Sequence, residues 1–151
     1  MKNNSIFKST LLIIAVFCTY ITSAQTTHTI VLTCDTTNIK QENVNDVCSF
    51  GQDRGVSNEE YTLDVRVGDI VVWRGIANNS VGSSRIEIKE VLHKDGTNVF
   101  DESKLRDVNG IVVGVVQKGE DGDEEKYDLK FKVFNEDGRQ NLIIDPKLRV
   151  R

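Results

Sequence analysis

Residues 61–73 read Tyr61-Thr62-Leu63-Asp64-Val65-Arg66-Val67-Gly68-Asp69-Ile70-Val71-Val72-Trp73. Tyr61, Leu63, Val65 and Val67 alternate with Thr62, Asp64 and Arg66, the period of a strand with one buried and one wet face. Gly68-Asp69 then supplies a turn. Ile70 to Trp73 is a continuous apolar run, as in a strand covered on both sides. Trp73, the largest side chain in the most apolar strand, is the candidate centre of the core. The same period recurs outward in both directions. Thr27 to Thr33 carries Ile30, Val31 and Leu32. Ile86 and Ile88 alternate with Arg85, Glu87 and Lys89, and Val91-Leu92 continue that strand. Ile111 to Val116 is apolar apart from Gly114, a sign of a bulge or a close approach. Tyr127, Leu129, Phe131 and Val133 alternate with Asp128, Lys130 and Lys132. Asn135-Glu136-Asp137-Gly138 is a turn. Leu142-Ile143-Ile144 and Leu148-Val150, parted by Pro146, end the sequence. About seven strands with turns between them predict an all-β protein, a single β-sandwich over residues 25–151.

Two segments break the period. Residues 34–60 form a long polar connection that holds Cys48 and Phe50, and a loop of that length is either functional or locally stapled. Residues 101–108, Asp101 to Val108, read as a short helix, capped by Asp101 and ended by Asn109-Gly110.

Residues 1–24 read as a signal peptide: Lys2 and Lys8, an apolar run from Leu11 to Ile21, then Thr22-Ser23-Ala24 for cleavage. A run of about 11 residues is too short to span a bilayer, which takes about 20. Ile14-Ala15-Val16-Phe17-Cys18 is a poor lipobox, because the residue before the cysteine is bulky. The whole chain has 151 residues and a formal charge of −4; without residues 1–24 it has 127 and carries −6. Cys18 leaves with the leader, and Cys34 and Cys48 remain. An even count in an oxidising compartment predicts a Cys34–Cys48 disulfide, worth about 3 kcal/mol in the chain-entropy model for a loop of this size. The acidic balance speaks against nucleic acid as a partner. Secretion or delivery to a bacterial periplasm is the expected destination.

Leu63 to Trp73 resembles a motif of cupredoxin-like sandwiches, in which a strand, a Gly-Asp turn and a strand ending in Trp precede the first copper histidine. Tyr127 to Phe131 matches the late strand. The resemblance implies a cupredoxin-like sandwich, with an Ig-like one as the alternative. It does not extend to the metal. Blue copper takes two His, one Cys and usually an axial Met, whereas Ala77, Asn78, Asn79 and Ser80 follow here and the late loop at Asn135–Asn141 holds none of them. The order of elements also resembles the inclusion-body protein (PixA/AidA-type) family, through Asp35-Thr36, Trp73-Arg74 and Asp145-Pro146. That likeness implies a small sandwich with no transferable catalytic residues.

Glu120-Asp121-Gly122-Asp123-Glu124-Glu125 is the densest charge run. It reads first as a solvated hairpin tip; Glu120, Asp121, Asp123 and Glu124 are the calcium candidates if it holds a metal. His28, opening the first strand, and His93, read as exposed before a Lys94-Asp95-Gly96 turn, have no zinc spacing. No nucleophile elbow and no phosphate loop occur. No catalytic residue and no cofactor are therefore expected. Asn78-Asn79-Ser80 fits the N-glycosylation pattern. The expectation is an exported, non-catalytic sandwich that binds a protein or glycan partner, or assembles, through loops at one end. Arg54, Arg74, Asn78 and Asn79 are its candidate contacts. A metal-dependent envelope protein using residues 120–125 and an enzyme of unknown class are the alternatives.

Overall fold

The structure is a computed structural model that describes residues 24–78 and 84–151; the signal-peptide reading and Asn79 lie outside the described residues. The strands are β1 (Thr27–Cys34), β2 (Cys48–Ser49), β3 (Thr62–Val65), β4 (Ile70–Ala77), β5 (Arg85–Gly96), β6 (Lys104–Arg106), β7 (Val112–Val115), β8 (Glu124–Asn135), β9 (Gly138–Ile144) and β10 (Lys147–Val150). A single turn of helix, α1, spans Val44–Val47. Two sheets form the all-β sandwich. The smaller has the order β2-β1-β4-β7, with β1 and β4 parallel. The larger has the order β3-β10-β8-β5-β6, and β9 shares an edge of β8 with β10. Pro146 sits at the break between β9 and β10, where a residue without an N–H costs no ladder bond.

The opening segment forms its two strands and the turn between them, with two corrections: β4 is covered on one face only, Val71 and Trp73 buried while Arg74 and Ile76 are exposed, and Val67 lies beyond the end of β3 and is exposed. β3 and β4 are joined through Gly68, whose φ of +96° suits glycine. They do not pair as a hairpin: β3 joins β10 in the large sheet and β4 joins β1 in the small one. Trp73 lies fully buried between the sheets. Its ring meets Phe100 and Tyr127 edge-on, at centroid distances of 5.5 and 5.8 Å. Its indole N–H donates to the Tyr127 hydroxyl at 3.1 Å. Ile30, Leu32, Ile88, Leu129 and Phe131 fill the space around it, each removed from water by the alternation that placed it there. Gly114 is a close approach: a Cβ there would lie 2.6 Å from Leu105 Cδ1 and 2.9 Å from the Phe100 ring.

Three expectations are corrected. Ten strands are described rather than about seven: β9 and β10 are separate on either side of Pro146, and the short β2 and β6 come in addition. The helix is in the polar connection, at Val44–Val47, and residues 101–108 contain β6 instead. Asn109 (φ +55°) and Gly110 (φ +81°) are both left-handed and turn the chain between Val108 and Ile111, which bridge antiparallel. Asn-Gly with two positive φ angles is hairpin chemistry, and Leu105, buried between half-buried Lys104 and exposed Arg106, is strand patterning. His93 lies inside β5, which continues to Gly96, and is half-buried rather than exposed.

The Cys34–Cys48 disulfide is present, with its Cα atoms 4.0 Å apart. The two cysteines are direct partners across β1 and β2, so the bridge closes the first half of the polar connection.

Candidate functional site

The even-numbered residues of β8 point out of the large sheet while the odd ones enter the core. Lys130 and Lys132 therefore stand on the sheet's open face. They line a groove of about 760 Å³ walled by Lys89 and Glu90 of β5, by Arg106 and Asp107, and by Asn141–Ile143 of β9. A β-bulge at Lys89 turns that side chain across the groove, where it pairs with Asp107 at 2.7 Å. This hydrogen bond raises the Lys89 ammonium and holds the Asp107 carboxyl below its ordinary range. Glu90 is shared by three cations: Lys104 at 3.6 Å, Arg106 at 3.7 Å and Lys130 at 3.6 Å. One carboxylate cannot neutralise three, and Lys132 makes no ion pair among the described residues. The groove thus carries surplus positive charge on a chain whose formal charge is −4.

One wall has a particular construction. Among the described residues β9 pairs with β8 alone, which leaves its other edge without a neighbouring strand. There the side-chain amide of Gln41 donates to the Ile143 carbonyl and accepts from the Ile143 N–H, each at 2.9 Å. Gln41 imitates one residue of a neighbouring strand and blunts the edge. It belongs to the disulfide-closed segment between β1 and β2.

Each histidine is held by a carboxylate. His28 Nε2 donates to Asp69 at 2.8 Å, and the same carboxylate accepts the amides of Arg66 and Thr26. Burial pushes the Asp69 carboxyl up, but these three hydrogen bonds outweigh it and hold the group below its ordinary range. His93 Nδ1 lies 3.2 Å from Glu125, whose second oxygen accepts the Val99 amide at 2.8 Å. Only 1% of the Glu125 side chain is exposed. Burial pushes its carboxyl up and outweighs both hydrogen bonds.

A raised carboxylate weakens the fold at neutral pH. The folded state keeps its proton where the unfolded chain has lost it, so stability falls as pH climbs above the ordinary glutamate value of about 4.3. Glu125→Gln keeps the acceptor for Val99 and removes the buried charge. Its melting temperature is expected to exceed wild type by a few degrees at pH 8, the gap closing below pH 4; calorimetry across that range checks it. A gap that widens on acidification would contradict the assignment.

The acidic run does not converge. Glu120, Asp121 and Gly122 are exposed at a tip. Asp123 accepts the Glu120 amide, Glu124 faces Lys147 and Arg149, and Glu125 turns into the core. Among the described residues no three His, Cys, Asp or Glu side chains are grouped to hold a metal. Arg54 is exposed in a turn. Arg74 is exposed on β4, so it belongs to the other sheet from the groove. Asn78 is exposed, its amide bonded to the Cys34 carbonyl. The groove was legible in the alternation of β8, whose outward positions include Lys126, Asp128, Lys130 and Lys132. Reading that alternation for its buried half alone passes over it.

No protein-family model and no curated protein matches the sequence. Among solved structures, the fold is similar to the inclusion body protein PixA from Burkholderia cenocepacia J2315, with a TM-score of 0.60. The match has 13% identity and covers 87% of this chain and 99% of that one. Identity this low carries architecture and no chemistry, and the chain shares with that protein a β-sandwich fold.

Proposed function

We propose that the chain is an exported, non-catalytic binding module whose large sheet seats an acidic polypeptide segment in the groove beside Lys130. The observation that carries this reading is the unbalanced charge around Glu90, beside Lys132, which makes no ion pair among the described residues. Aliphatic Ile143 and the Gln41 and Asn141 amides complete a lining suited to a peptide. The face offers lysines and arginine to carboxylates and few aromatic platforms on which a sugar ring would stack. Export, to the periplasm or medium, is supported by the leader-like residues 1–24 and by a disulfide, which persists in oxidising compartments. The non-catalytic part of the reading is supported by the histidine pairs. Both carboxylates are engaged by backbone amides, as in latches that pin one segment to another. The finer fold reading is a cupredoxin-like sandwich without copper ligands, supported by the Gly68-Asp69 turn that delivers β4 to Trp73.

Fluorescence titration of the purified chain with a labelled glutamate-rich peptide tests the function. Saturable binding should weaken about tenfold in Lys130→Glu/Lys132→Glu, the effect of reversing two exposed charges, and should fall with salt. Undiminished binding by that variant, or tighter binding of a sulfated polysaccharide than of the peptide, would overturn it.

A further inference from the structure

Two features of opposite charge are left incompletely balanced among the described residues. One is the groove. The other is the tip before β8, where Glu120 and Asp121 are exposed and, with Asp123, make no ion pair among the described residues. The tip is held in shape: the Gly122 amide donates to the Val150 carbonyl, and the Val150 amide to the Asp123 carbonyl. It presents its carboxylates outward from a fixed turn.

The distance between the two features decides what they can do. The tip lies at the start of β8, and the groove lies six or more residues further along the same strand. At about 3.3 Å per residue that separation is about 20 Å along a rigid sheet. No copy can place its own tip in its own groove.

We infer that the occupant of the groove is the Glu120–Asp123 tip of a second copy of this chain. This rests on the reading of the groove as a site for acidic polypeptide and names the polypeptide. Charge complementarity argues for it: three cations crowd Glu90, and among the described residues neither Lys132 nor the carboxylates of Glu120, Asp121 and Asp123 make an ion pair. The contact joins two different surfaces, so it is heterologous. Each copy in a contact keeps one free tip or one free groove, and growth continues in rows unless the rotation closes a ring. Exposed charges on both sides make the contact weak and sensitive to salt.

Sedimentation velocity over a range of concentrations tests this on the purified chain. Association is expected to rise with concentration at low salt and to disappear at high salt. Glu120→Lys/Asp121→Lys leaves Asp123 to hold the turn, and Lys130→Glu/Lys132→Glu reverses the groove; each alone should associate about tenfold more weakly. Mixing them should restore association, because each then offers the other a complementary surface. Lys130→Gln/Lys132→Gln and thermal melting of every variant separate lost contact from lost fold. A chain that stays monomeric at all concentrations yet binds the glutamate-rich peptide overturns the second copy as occupant and leaves the groove's function standing. Failure of both experiments overturns both. Association that survives in every variant and at high salt also overturns the inference, and points to the uncharged edge of β7, where Val113 and Val115 are exposed.

Discussion

Trp73→Ala is expected to cost about 5 kcal/mol, the upper end for removing a large aromatic from a core. Three losses combine at this position. The side chain is completely buried, so its whole transfer free energy is forfeited and a cavity the size of an indole opens. The edge-on contacts with Phe100 and Tyr127 vanish together. The Tyr127 hydroxyl also loses the indole N–H that donates to it, leaving a polar group in the dry centre of the sandwich. Domains of this size have total stabilities of about 5–15 kcal/mol, so the variant should be largely unfolded or close to it. Trp73→Phe refills most of the space and orphans the same hydroxyl; it should cost about 2 kcal/mol. Urea unfolding followed by far-ultraviolet circular dichroism measures both, since Trp73 is the only tryptophan and its fluorescence goes with it. A loss below about 2 kcal/mol for the alanine variant would remove Trp73 from the centre of the core.

The position of Trp73 was readable because period and composition agree there. Alternation marks the buried faces of β3 and β8, both in the large sheet, and Trp73 of β4 meets that face from the small sheet. The disulfide followed from setting Cys18 aside with residues 1–24, which leaves two cysteines to pair in an oxidising compartment. What could not be read depends on pairings distant in sequence. β3 and β4 look like a hairpin but enter different sheets, because their partners β10 and β1 lie far away in the chain. Short β2 exists because Cys48 is opposite Cys34, not because two residues have a pattern. At Asn109-Gly110 the dipeptide ends helices and turns hairpins equally well, and the buried Leu105 decides it. The candidate site was the least legible. Glu125 belongs by sequence to a solvated run, yet the first strand turns of β8 carry it inward beside His93. The groove is assembled from five separate stretches, and only those in β5 and β8 belong to long alternating runs. Its Gln41 wall comes from a side chain acting as backbone, which no composition announces.

Removing the disulfide, in Cys34→Ala/Cys48→Ala, is expected to lower stability by about 3 kcal/mol and the melting temperature by about 10 °C. Part of this is generic, because the unfolded chain regains the freedom of the loop between residues 14 apart in sequence. The rest is specific to what the loop carries. Ile39 and Val44 are buried in the core from this segment, and Gln41 caps the Ile143 edge of β9. Without the bridge these contacts must hold the loop alone. Hydrogen exchange at the Ile143 amide should therefore accelerate more than exchange at Leu129 or Phe131, deep in the same sheet. Binding of the acidic peptide should weaken as well, since one wall of the groove is the released segment. Denatured, unreduced protein without residues 1–24 should show no free thiol. Two free thiols would mean that the bridge is absent. Uniform acceleration of exchange across the sheet would mean that the bridge acts on the whole domain, and that Gln41 holds its edge without it.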